Sequence, residues 1–107
     1  MNEDYEKEYD LRQYRLLYRH VQNKPKEQYQ VNQYLGTIYD LFSVLHNRDE
    51  ILITEVFRYW HWIDEILAVA KDQGRDFNGD EKDTLNDLYD KIQRLVEEKY
   101  QEIRKPD

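Results

Sequence analysis

The sequence predicts an all-α protein folded as a four-helix up-down bundle, and three observations carry that prediction. Apolar residues recur every three or four positions through four separate stretches, and none alternates over a strand length. Of three glycines and two prolines, all but Gly36 fall between or after those stretches. The breaks are short, which favours antiparallel neighbours. At 107 residues the chain suits one helical domain, 1–107.

The first segment is read from about Glu3 to Asn23. Pro25 ends it by pushing the preceding residue out of helical geometry. Tyr14, Leu17 and Val21 share one side, with Leu11 and Tyr18 beside them. Tyr5, Tyr9 and Leu16 fall on a separate stripe. The second segment runs from about Lys26 to His46. Val31, Tyr34, Leu35, Ile38, Leu41, Phe42 and Leu45 form its buried stripe. Gly36 lies off that stripe and weakens the helix by about 1 kcal/mol relative to Ala; close approach of another helix is one reason for a glycine there.

Asn47 or Asp49 can cap the third segment, which runs to Gln73 and stops at Gly74. Leu52, Val56, Tyr59, Trp60, Ile63, Ile66, Leu67 and Ala70 make its main stripe. Ile51, Trp62 and Val69 flank it on one side, Ile53 and Phe57 on the other. A helix this apolar around its circumference is central or meets a second surface. Asp80 reads as the N-cap of the fourth segment, with Glu81 and Asp83 suiting the positive end of the helix dipole. Leu85, Leu88, Tyr89, Ile92, Leu95, Val96, Tyr100 and Ile103 form its stripe; Arg104 and Lys105 close it and Pro106 stops it. The structural rival is a three-helix packing with the first segment docked on another chain.

Composition narrows the function. Net charge is −7 and the isoelectric point about 5.0. A nucleic-acid binder carries a basic stripe or a high isoelectric point, and an anionic membrane would repel this chain. There is no Cys, which removes disulfides and thiolate chemistry and suits a reducing cytoplasm. No apolar run approaches the ~18 residues of a membrane span, and Met1-Asn2-Glu3-Asp4 is the wrong start for a signal peptide. The expectation is a cytoplasmic protein with no catalytic, cofactor or metal residues.

The motifs that could argue otherwise have plainer explanations. His20, His46 and His61 show neither the i, i+4 spacing of a helical zinc site nor an H-E-x-x-H pattern. The residues three before them, Leu17, Ser43 and Arg58, lack the glutamate of a di-iron bundle. Asp76, Asn78 and Asp80 alternate like a calcium loop, but Glu81 and Asp87 stand where that loop needs Gly and Glu. In the run from Arg58 to Glu65, helical spacing sends Tyr59, Trp60 and Ile63 inward and His61 outward. Trp62 sits at the edge of the main stripe, and tryptophan is enriched where interfaces concentrate binding energy.

Tyr34-Leu35-Gly36-Thr37-Ile38-Tyr39-Asp40-Leu41-Phe42, a short polar turn, then Glu55-Val56-Phe57-Arg58-Tyr59-Trp60 resemble part of a family of short bacterial helical proteins of unknown function. The resemblance covers about half the chain. It implies a helical fold and a bacterial or phage origin, and brings no activity. Members often carry a membrane helix ahead of this region, and no apolar run of that length occurs within these 107 residues.

The surplus of apolar surface points to a protein-interaction module: an adaptor, a regulatory subunit or a homodimer. Trp62, Ile51, Val69, Tyr5, Tyr9 and Leu16 are its candidate contact residues. The alternative is an acidic inhibitor that engages a basic site on a host or phage enzyme.

Overall fold

A computed structural model describes residues 3–104. Four helices account for most of it: α1 (Glu3–Gln22), α2 (Val31–Ser43), α3 (Glu50–Asp72) and α4 (Gly79–Arg104). Among the described residues there is no strand. The Met1-Asn2 start, and the Lys105 and Pro106 read as the end of the last helix, lie outside that range.

The arrangement is an all-α four-helix bundle, as the periodicity predicts. α1 packs along α2 and α4, and α3 packs along the same two, so α1 and α3 stand on one diagonal. Successive helices are antiparallel. Asp10, early in α1, bonds the turn after α2, and His20, late in α1, meets Tyr34 early in α2. Lys24 pairs with Asp90, and Asp49 at the head of α3 pairs with Lys99 near the tail of α4. The bundle is a rod of 51 × 22 × 21 Å.

Each helix gives its stripe to one core. Leu17 and Val21, Leu35 and Ile38, Val56 and Ile63, and Ile92 and Val96 are all fully enclosed. Leu45 lies past the end of α2 and is still buried. Aromatic rings tie the layers together: Tyr14 against Phe42, Tyr18 on Tyr100, Tyr34 against Tyr89, and Phe57 between Phe42 and Trp60. Trp60 packs on the flank rather than in the centre, and its indole N–H donates to the Leu35 carbonyl at 2.8 Å.

The helix ends follow local chemistry. Asp49 caps α3, its carboxylate accepting from the Leu52 N–H at 3.1 Å. At the other end Gly74 takes a positive φ of 63°, the Gly74 N–H bonds the Lys71 carbonyl, and the Arg75 N–H bonds the Ala70 carbonyl. This double closure uses the one backbone conformation that favours glycine.

Three readings need correction. The cap of α4 is Asn78, not Asp80. Asn78 accepts from the Glu81 N–H at 2.8 Å, and the Glu81 carboxylate accepts from the Asn78 N–H at 3.0 Å, a reciprocal box that Arg75 reinforces from the side. The second helix starts later and ends earlier than its apolar pattern. Residues Gln28–Gln30 form one 3-10 turn, and the Gln30 side chain accepts from the N–H groups of Lys26 and Glu27. Finally, no helix approaches Gly36. It is solvent-exposed, and a β-carbon there would meet nothing within 4 Å.

Candidate functional site

The three histidines do not converge. His61 is exposed, and its ring meets the Trp60 ring edge-on. A ring nitrogen of His20 lies 2.9 Å from the Tyr34 carbonyl oxygen. His46 sits 3.3 Å from Asp10 with Tyr9 edge-on to its ring. Among the described residues no three His, Asp or Glu side chains are grouped as metal ligands. Burial pushes the Tyr14 and Tyr89 hydroxyls up to about 12 and the Tyr34 hydroxyl up as well, so all three stay protonated near neutral pH.

Asp10 is the charged residue the core takes in, only 6% exposed. It holds the turn between α2 and α3: one carboxylate oxygen accepts from the His46 N–H at 2.9 Å and the other from the Asn47 N–H at 2.8 Å. The geometry is that of a structural tether. The sequence reading missed it, although Asp10 falls seven residues before Leu17, on the apolar side of α1.

An open cleft of about 1040 Å³ lies at one end of the rod, between the α1–α2 connection and the start of α4. Lys24, Gln28, Gln33, Phe77, Lys82 and Asn86 are among the residues lining it. Lys24 is already paired with Asp90, and the Gln28 amide donates to the Arg75 carbonyl. The cleft brings together residues from three distant stretches, and no pattern in the sequence announces it.

The apolar surplus is distributed unevenly. On α3, Ile51 is 79% exposed, Trp62 50% and Val69 47%. Helical spacing puts all three on one flank. Phe57 meets Tyr39 and Phe42, and Trp60 bonds Leu35, so the opposite flank of α3 faces α2. The Trp62 flank therefore turns toward α4, its other neighbour. Tyr59 and Ile66 lie half-buried along its inner edge. On α1, Tyr5 and Leu16 are about half exposed, whereas Tyr9 is partly covered by His46. The diagonal between α1 and α3 separates the two sets, so the six candidate contact residues do not form one surface.

No protein-family model, curated protein or solved structure matches the chain. Among the described residues no helix is long and apolar enough to cross a membrane.

Proposed function

We propose that this chain is a protein-interaction module, a rigid helical bundle that presents the outer face of α3 to another protein. Trp62 carries the reading. It is half exposed in the middle of a long helix whose other face is locked into the core, with Ile51 and Val69 on the same flank. Tryptophan is among the residues enriched at binding hot spots, because its large rigid area is buried at little conformational cost. Tyr5, Tyr9 and Leu16 on α1 lie across the bundle and take no part in this contact. The acidic inhibitor is a special case of the same surface, with a basic enzyme site as the partner. A Cys-free acidic chain suits the cytoplasm.

Site-specific photo-crosslinking tests this reading. A photoreactive residue is placed in turn at positions 62 and 69 on α3 and at positions 12 and 15 on the exposed side of α1, in cells that express the protein naturally. Covalent adducts should form from the α3 positions and not from α1. Equal adducts from both helices, or none from α3, would refute the assignment of the contact face.

A further inference from the structure

Resting on that reading of α3, we propose that the α3–α4 face docks a basic amphipathic helix of a partner protein. Length is the first argument. From Ile51 to Val69 the flank runs for about 27 Å, at 1.5 Å per residue, which suits about five turns of a docked helix. The flank is apolar at both ends and at Trp62, with Tyr59 and Ile66 filling between. Anchors recurring along one face are what a helix-in-groove partner reads.

Charge is the second argument and selects the occupant. Tyr18 lies on Tyr100, so that side of α4 faces α1. Lys99 reaches Asp49 of α3. Helical spacing then sets Lys91, Leu95, Glu98 and Glu102 on the α3 side. Glu55 on α3 belongs to the same face. Glu55, Glu98 and Glu102 make no ion pair with any described residue, whereas Lys91 is already neutralised by Asp87. Arg58, exposed on the same flank between Ile51 and Trp62, also makes no ion pair with any described residue, so the rim sets three unpaired carboxylates against one unpaired cation and is net acidic. A helix with lysine or arginine beside its apolar stripe complements both features. A second copy of this chain complements only the first: each copy carries a net charge of −7, and like charges across an interface are unfavourable.

The test uses defined peptides and the whole chain. The probe is a synthetic helix of about 18 residues with leucines at i, i+3, i+4 and i+7 and lysines elsewhere. Its mirror carries glutamate in place of lysine. Titration calorimetry should show saturable one-to-one binding of the Leu/Lys peptide and none of the Leu/Glu peptide. Trp62→Ala should weaken binding by at least about tenfold, as expected of a hot spot. Paired Glu98→Lys and Glu102→Lys should weaken it too, whereas Asp4→Lys with Glu8→Lys on α1 should leave it within about twofold. Thermal melts of each variant establish that it is folded. Equal binding of both peptides, or equal loss from the α1 and α4 reversals, would overturn the proposal. So would a wild-type dimer in light scattering that Trp62→Glu converts to a monomer, because a second copy would then occupy the face. Crosslinks from position 62 combined with no binding of the Leu/Lys peptide would sink the docked helix and leave the contact face standing.

Discussion

Replacing Asp10 by Asn should unlatch the turn between α2 and α3 without changing the shape of the side chain. In the native protein both carboxylate oxygens accept backbone N–H groups, His46 at 2.9 Å and Asn47 at 2.8 Å. Hydrogen bonds to a charged acceptor contribute about 1.5–3 kcal/mol each. Asparagine keeps one acceptor oxygen, loses the charge, and points an amide N–H₂ at the other backbone donor. His46 and Asn47 are exposed residues, so water can reach part of what is lost. A net cost of about 2–3 kcal/mol follows, a lowering of Tm by roughly 10–20 °C for a domain of this size. Urea unfolding of wild type, Asp10→Asn and His46→Ala measures it. The histidine variant keeps both backbone bonds and loses only the 3.3 Å ring contact and the Tyr9 edge, so it should cost no more than about 1 kcal/mol. The tether argument fails if the two variants are equally destabilised, or if Asp10→Asn is as stable as wild type.

Three further outcomes are expected. Gly36→Ala should raise stability by about 0.5–1 kcal/mol, since the site is helical, exposed and open around the new methyl group; a lower urea midpoint would contradict this. Tyr14→Phe should stabilise the fold by about 1 kcal/mol, because the Tyr14 hydroxyl is buried with no hydrogen-bond partner among the described residues and phenylalanine removes that desolvation penalty. Thermal melts of the two proteins side by side decide it. Stability should also fall above about pH 10. Burial raises the Tyr14 and Tyr89 hydroxyls to about 12 in the folded state, while unfolded tyrosines ionise near 10. Their contribution is therefore complete below pH 10 and is lost as pH rises toward 12, at up to ~1.4 kcal/mol per pH unit for each tyrosine. Urea midpoints from pH 8 to 11, read beside tyrosinate absorbance, should show this loss, and a flat profile would contradict the assignment.

The stripes were legible because burial in a helix repeats in sequence. Tyr14, Leu17 and Val21 on α1, or Leu88, Ile92 and Val96 on α4, need no partner to be recognised. Two details had a signal that the apolar pattern obscured. Asp10 sits in register with the α1 stripe, where a carboxylate asks for an explanation. Asn78 with Glu81 three residues on is a capping pair, and Asp80 with Asp83 is a weaker imitation. The late start of α2 was not legible, since it depends on the Gln30 side chain turning back to Lys26 and Glu27. Nor was the arrangement of the apolar surplus. Spacing shows which residues leave the main stripe, but only the ring order of the helices puts Leu16 and Trp62 on opposite sides.

Trp60 and Trp62 make the division of labour within α3 explicit. They are two residues apart and therefore about 200° apart around the helix. Trp60 packs toward α2, touches Phe57 and satisfies its indole N–H on the Leu35 carbonyl. Trp62 has no hydrogen bond to any described residue and leaves half its surface to solvent. The core closes around Val56, Ile63 and Leu67 without it. One tryptophan thus helps to build the helix into the bundle, and the other is left half exposed on its flank. Half of the Trp62 surface is covered by the bundle, and under the proposed function the exposed half is the anchor, with the apolar track along the helix and the unpaired carboxylates beside it.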